Sequence, residues 1–322
     1  MNLSHDDMSS SDRIGPAQFF DAQEAPANLA DVKSRVDAFV ERHAGIEGRR
    51  IVLVTSGGTT VPLEAQTVRF IDNFSAGTRG SISTELFLEH GYAVIFLSRQ
   101  YSLLPYSRHY SHSKNCFLDF MKPDGKGGIQ VAPQFTPSML HVLEKYNQVK
   151  EKGLLEVVNF VDVNEYLFLL REITASLARM HERAMFYLAA AVSDFYIPMG
   201  KMVVHKIQSG NGSLHLELDP VPKVLSPLVK EWAPRAFVVS FKLETDPALL
   251  ISKAKASLAR YGHQAVIGNL LSTRKVHVVL ITPEEVKDVR LDHERAEAGD
   301  EIEGLFIPEL IQRHDQWIRF SS

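Results

Sequence analysis

One cysteine, Cys116, stands in 322 residues, so no disulfide can form within the chain and a reducing compartment suits it. No apolar run reaches the roughly 20 residues that a bilayer span requires, so no membrane role is expected. The opening "MNLSHDDMSSSD" has neither an apolar signal core nor the arginines of a transit peptide, which points to a cytoplasmic protein. The net charge is only −4, so there is no overall basic field to hold nucleic acid, and an anionic ligand must be met by local groups. The dinucleotide fingerprint G-x-G-x-x-G and the P-loop G-x-x-x-x-G-K-[ST] are both missing. His109, His112 and Cys116 lie close in "RHYSHSKNC", but no second Cys/His pair stands at zinc spacing. That segment reads as a polar loop, and Cys116 has no evident base partner to make it a nucleophile. No repeat of 20–50 residues is present.

What remains is 45% hydrophobic, enough for a sizeable core. Residues 1–27 read as a loose polar tail. Val32, Val36, Phe39 and Val40 recur at helical spacing from Leu29, with Asn28 at the cap and an end near Gly45. "IVLVT" (51–55) and "YAVIFLS" (92–98) read as buried strands on either side of a helix, "GSISTELFLEHG", which implies a parallel βαβ unit. The Pro- and Gly-rich "KPDGKGGIQVAPQFTPS" breaks that rhythm and marks 101–165 as an insertion. A helix resumes at "VNEYLFLLREITASLARMHERA", with Asn164 as its cap. "AMFYLAAAV", "RAFVVSF", "QAVIGN" and "VHVVLIT" are further strands, and "SGNGS" punctuates a hairpin in "MVVHKIQSGNGSLHLELD". Asp246, Pro247 and Gly262 bracket a helix, and "PELIQRHDQWI" closes the chain with another.

This alternation predicts an α/β fold: a three-layer, doubly wound, mostly parallel Rossmann-like sheet with a β-hairpin excursion and an inserted segment. Residues 1–47 form a tail and helix, and 48–322 a single domain. In such sheets ligands bind beyond the carboxyl ends of the strands. Those ends read "TSGG", "VSD" (192–194), "SFK" (240–242) and "GN" (268–269), small and polar groups along one edge.

"VTSGGTTVP" fits a phosphate-approaching loop and a bare strand end equally well. The stretch "RFIDNFSAGTRGSIS" is more specific. It belongs to a connection far longer than a Rossmann turn, and it delivers Ser75, Gly77 and Gly80 to a helix N-terminus, where free N–H groups and the dipole attract anions. Arg69 and Arg79 are candidate charges beside it. Asp194 reads as a ligand acceptor or a turn residue. Phe241 reads as a base-stacking ring or core. Lys242, at the same strand end, is a candidate phosphate neutraliser.

Together "VTSGGTTVPLEAQTVRFIDNFSAGTRG", "YLAAAVSDFYIP", "HKIQS", "VPKVLSPLVKEWAP", "FVVSFKLETDP" and Asn269 resemble the eukaryotic type of phosphopantothenoylcysteine synthetase, or phosphopantothenate–cysteine ligase, in order from about residue 48 to 285. The resemblance implies a ligase that joins 4′-phosphopantothenate to cysteine through an acyl nucleotide, with release of pyrophosphate, in coenzyme A synthesis. It implies Asn73 on the substrate carboxylate, and Ala190, Ala191 and Asp194 on the pantothenate arm. Arg69 would reach the substrate of a neighbouring subunit, hence a homodimer. Gly57, Ser75, Gly77, Gly80, Phe241 and Asn269 would contact the nucleotide, expected to be ATP, with CTP as the alternative. Lys206 matches a catalytic lysine, although only "KIQ" remains of the bacterial "KIKK" motif. Mg²⁺ is expected with the nucleotide, its ligands unassigned. Two rivals are a short-chain-type oxidoreductase, for which Lys201 lies one step out of place after Tyr196, and a non-catalytic nucleotide-binding subunit.

Overall fold

The structure, a computed structural model, describes residues 14–111 and 116–321, so His112 of the histidine-rich loop lies outside it. Helices run at α1 (Pro16–Ala22), α2 (Leu29–Ala44), α3 (Thr78–Glu89), α4 (Thr136–Glu151), α5 (Val163–Leu177), α6 (Pro247–Tyr261), α7 (His293–Glu297) and α8 (Glu303–Ser321). Strands run at β1 (Ile51–Ser56), β2 (Thr60–Pro62), β3 (Phe70–Asp72), β4 (Ala93–Arg99), β5 (Met121–Pro123), β6 (Ile129–Val131) and β7 (Leu155–Phe160). They continue at β8 (Ala184–Leu188), β9 (Phe195–Tyr196), β10 (Asp219–Pro220), β11 (Phe237–Glu244), β12 (Ala265–Leu270), β13 (His277–Ile281) and β14 (Val286–Arg290).

Eight strands form one sheet in the order β14-β13-β12-β11-β8-β1-β4-β7, parallel from β7 to β12 and antiparallel at β13 and β14. Every residue of β1 is buried, as a strand covered on both faces requires. Helices α2 and α5 pack together, as do α3 and α8, giving the three layers. From β1 the chain winds outward through β4 and β7, then crosses back to β8 on the other side of β1. The β1/β8 boundary is therefore the switch point, where the crevice of a doubly wound sheet opens.

The doubly wound sheet is as expected; several of its parts are not. The polar tail gives way at Pro16 to α1, which buries Phe19 edge-on against Tyr196 and Phe20 against Phe168. At seven residues this helix is too short for periodicity to reveal. Within 101–165, α4 and β7 continue the winding, with Val94 paired to Leu155. Glu156 and the exposed Asn159 hid β7, an edge strand, from a search for apolar runs. The cap of α5 is Asp162, which accepts from the Glu165 N–H at 2.9 Å; Asn164 donates instead to the Glu24 carbonyl. Arg79 is not a free charge, because Glu303 holds its guanidinium at 2.8 Å.

The excursion between β9 and β10 exists, but its hairpin strands do not form. Only the two-residue pair Tyr196–Asp219 and Phe195–Pro220 closes its base, clasped by Lys201 between Glu217 and Asp219. Val203, Val204, Leu214 and Leu216 are exposed, so two isolated strands would have no layer to pack on. The N–H groups of Ala65 and Gln66 instead donate to the carbonyls of Val203 and Val204.

Candidate functional site

Gly57 follows β1 at φ +83°, a backbone that favours glycine, and a Cβ there would stand 2.7 Å from Arg99 Cβ. A Cβ on Gly58 would stand 1.6 Å from the Asn73 carbonyl oxygen. The "NFSAG" loop is thus laid directly on the end of β1. It is fastened there by Asn73 N–H to the Thr59 carbonyl at 3.1 Å and by Ser56 Oγ to the Gly77 carbonyl at 3.1 Å. Gly77 and Gly80 also face Ser56, so each glycine is accounted for by loop closure, and what remains for a ligand is backbone. Helix α3 begins after Gly77 with no side-chain cap and no acid in its first turn, an N-terminus suited to an anion. Ser75 lies in the same turn, its Oγ 3.4 Å from Gly77 N.

The end of β8 is stitched to the same place. Ala191 N–H donates to the Gly57 carbonyl at 2.8 Å, and Thr59 N–H to the Ala191 carbonyl at 3.0 Å. Ala190 N–H donates to Thr55 Oγ1 at 3.1 Å, and Ser193 N–H to Thr59 Oγ1 at 2.9 Å. Asp194 follows in the open, its carboxylate paired with Lys223 at 2.9 Å. Gly57, Asn73, Ser75, Gly77, Gly80, Ala190 and Ala191 are therefore gathered at the switch point.

Phe241 and Lys242 sit near the end of β11 and Asn269 near the end of β12, with Lys242 beside Gly268 and Leu243 beside Asn269 in register. Phe241 packs edge-on to Tyr187, whose hydroxyl meets Ser83 Oγ of α3 at 2.8 Å, so this part of the edge is braced on the anion-facing helix. Burial pushes the Tyr187 phenol far up, so the ring stays neutral. Lys242 Nζ lies 3.4 Å from Glu244 and is partly exposed. Asn269 is 5% exposed; its Nδ2 donates to the Ile267 carbonyl while its Oδ1 has no partner among the described residues, a buried acceptor left over.

Arg69 lies at the outer end of the β2–β3 hairpin, roughly 13 Å along the strand from Asn73. It pairs with the buried Glu64 at 3.1 Å, and its Nη1 also donates to the Ile207 carbonyl. Lys206 is exposed and adjoins that contact. Gly58, Thr59 and Glu64, which tie these pieces together, escaped the sequence reading. The run "SGGTT" showed that the region was small and polar, but nothing local says which atoms it would meet. Among the described residues no three His, Cys, Asp or Glu side chains come together as a metal cage.

Fold and edge together define a doubly wound α/β protein with its ligand crevice at the β1/β8 switch point. Comparison narrows this. The family described as DNA/pantothenate metabolism flavoprotein C-terminal domain matches residues 125–298. The phosphopantothenate–cysteine ligase CAB2 of Saccharomyces cerevisiae is 45% identical over 95% of this chain and 87% of its own length. The Homo sapiens phosphopantothenate–cysteine ligase is 42% identical over 95% and 98%. A solved structure of the Cab2 H337A mutant in complex with phosphopantothenate-cysteine matches with a TM-score of 0.87 at 46% identity, over 94% of this chain and 99% of that one. The chain belongs to the phosphopantothenate–cysteine ligase family.

Proposed function

We propose that the protein joins 4′-phosphopantothenate to L-cysteine in coenzyme A biosynthesis. The carboxylate of the acid attacks the α-phosphorus of a nucleoside triphosphate and pyrophosphate leaves, forming an acyl nucleotide. The cysteine amine then attacks the acyl carbon, loses a proton, and the nucleoside monophosphate departs. Such chemistry rests on positioning and charge neutralisation more than on a covalent nucleophile.

The observation that carries this reading is the fastening of the "NFSAG" loop to the 190–193 segment across Gly58 and Thr59 at the switch point. It supports Asn73 as the donor to the substrate carboxylate, with Ala190, Ala191 and Asp194 along the pantothenate arm. The uncapped start of α3 supports Gly57, Ser75, Gly77 and Gly80 as phosphate contacts. The unpartnered Asn269 Oδ1 supports Asn269, with Phe241, as a nucleoside contact. Lys206 and Lys242 neutralise charge that develops during nucleotidyl transfer. ATP is the nucleotide we favour over CTP. Mg²⁺ would arrive on the triphosphate, which suits a site where no cluster of metal-ligating side chains forms among the described residues.

Arg69 serves a neighbouring subunit in a homodimer, for which the exposed Phe70, Phe74, Val203 and Val204 supply apolar surface. Residues 48–322 form the ligase unit, in which 101–165 carries an inserted segment ahead of α4 and β7, and 1–47 is an added segment whose described helices share the core. No helix among the described residues is long and apolar enough to cross a membrane, and we place the enzyme in the cytoplasm. An oxidoreductase is disfavoured because Tyr196 is buried against Phe19 and Lys201 is held by Glu217 and Asp219. The test is pyrophosphate release with 4′-phosphopantothenate, Mg²⁺ and ATP or CTP, with and without cysteine. Release that needs the acid and turns over with cysteine supports the ligase. No release with either nucleotide refutes it.

A further inference from the structure

Glu64 is 0% exposed, yet it is a carboxylate, in the turn between β2 and β3. Its Oε2 accepts from the backbone N–H groups of Val68 at 3.2 Å and Arg69 at 3.0 Å. Its Oε1 accepts from Arg69 Nη1 at 3.1 Å and from the Ile207 N–H at 3.3 Å. These donors occupy the acceptor capacity of an ionised carboxylate, and a carboxamide could not satisfy them all. Burial pushes the carboxyl up, but the N–H groups of Arg69, Val68 and Ile207 and the Arg69 side chain outweigh it and hold the group ionised.

The consequence is a rigid link between two segments far apart in sequence. One carries Arg69; the other, 203–207, carries Lys206 and runs beside Ala65 and Gln66 through backbone bonds. Both inward bonds of the guanidinium use Nη1, to Glu64 and to the Ile207 carbonyl. Nε and Nη2 have no partner among the described residues, and the side chain is 42% exposed. That free edge matches two oxygens of a phosphate monoester. Closing a turn does not itself call for a buried charge, and this one also fixes the inner nitrogen of a guanidinium that is aimed outward.

We infer that Glu64 is a positioning residue: it holds Arg69 and the Lys206 segment as one unit whose outward guanidinium edge receives the 4′-phosphate of the acid substrate. The inference rests on the proposed ligase activity. Its test is steady-state pyrophosphate release by the full chain as wild type, E64Q, R69A and E64Q/R69A, varying 4′-phosphopantothenate and nucleotide separately. E64Q is expected to raise KM for phosphopantothenate about tenfold or more, while KM for nucleotide moves less than about twofold. The double variant is expected to lose little beyond R69A alone, because Glu64 acts through that arginine.

Should E64Q fail to fold, E64D serves. Its shorter carboxylate keeps the charge but cannot span all four donors, and the same split between the two KM values is expected. An unchanged phosphopantothenate KM in folded E64Q or E64D overturns the inference while the ligase reading stands. So do losses that multiply in the double variant. A wild-type protein that releases no pyrophosphate in response to phosphopantothenate overturns the ligase reading, and this inference with it.

Discussion

The carbonyl oxygen of Asn73 occupies the space in which a side chain on residue 58 would begin, 1.6 Å from where a Cβ on Gly58 would stand. No rotamer relieves that contact, because a Cβ is fixed by its own backbone and the oxygen it meets is backbone. Gly58→Ala should push the "NFSAG" loop off the end of β1 by an ångström or two. A displacement of that size is enough to cost about 100-fold in rate. Pyrophosphate release at saturating substrates measures it, and a variant with wild-type turnover would show that the loop need not sit there.

How far the sequence disclosed this site depends on the kind of information each residue carries. β1, β8, β11 and β12 are apolar runs, and α6 has its cap and terminator written in Asp246, Pro247 and Gly262, so the sheet and its ligand-bearing edge could be read locally. The edge strand β7, with Glu156 and Asn159 in it, does not announce itself that way. "SGNGS" is sound hairpin punctuation, but strands need a surface to pack on, and none was available. Within the site, Asn73 and the glycines stood out by composition. Gly58 and Thr59 act through partners 14 to 134 positions away, and Glu64 joins Arg69, five positions on, to Ile207, 143 positions on; no local pattern announces such long-range contacts.

Asn73 makes no side-chain hydrogen bond among the described residues, so its amide does no visible work in holding the fold. Asn73→Ala should therefore leave the melting temperature unchanged while cutting turnover about 100-fold or more, as loss of a preorganised donor to developing charge does. Asn73→Asp should be worse, since it sets one carboxylate against another. Equal turnover in all three proteins would remove Asn73 from the carboxylate site.

Thr59 accepts the Ser193 N–H through Oγ1 in a fully buried position. Thr59→Val keeps the shape and removes the acceptor, leaving a buried N–H unpaired at a cost of about 1–3 kcal/mol. Thr59→Ser keeps the oxygen and should recover most of that loss. Urea unfolding of the two variants decides the matter; equal stability would mean that the hydroxyl is dispensable.

Lys242 is the cation at the end of β11, held 3.4 Å from Glu244. If it neutralises phosphates, Lys242→Ala should raise KM for nucleotide about tenfold and leave KM for phosphopantothenate alone, the reverse of what Glu64 variants should do. A rise in the phosphopantothenate KM instead would move Lys242 to the other substrate.

Acid should weaken the fold in two separate stretches of pH. His314 is buried with Nε2 facing the Glu182 carbonyl at 2.8 Å, so Nε2 carries the proton and Nδ1 accepts from the Tyr92 hydroxyl at 2.8 Å. Burial holds this imidazole at about 4, and likewise His263, both below the ordinary 6.5. With the folded value depressed, their contribution is complete above pH 6.5 and drains away as pH falls towards 4. Glu85 belongs to the lower stretch. Burial pushes its carboxyl up, but His109, Arg108 and the Tyr106 N–H outweigh that and hold it at about 2, against an ordinary 4.5. Its contribution is complete above pH 4.5 and is lost between there and 2, and the shift corresponds to roughly 3 kcal/mol. Urea unfolding from pH 7.5 down to 3 should therefore show stability falling first below 6.5 and again below 4.5. Glu85→Gln should be less stable at neutral pH, because it leaves Arg108 short of a partner, and should flatten only the lower stretch. An unaltered slope below pH 4.5 in that variant would mean that the Glu85–Arg108 pair does not govern acid stability.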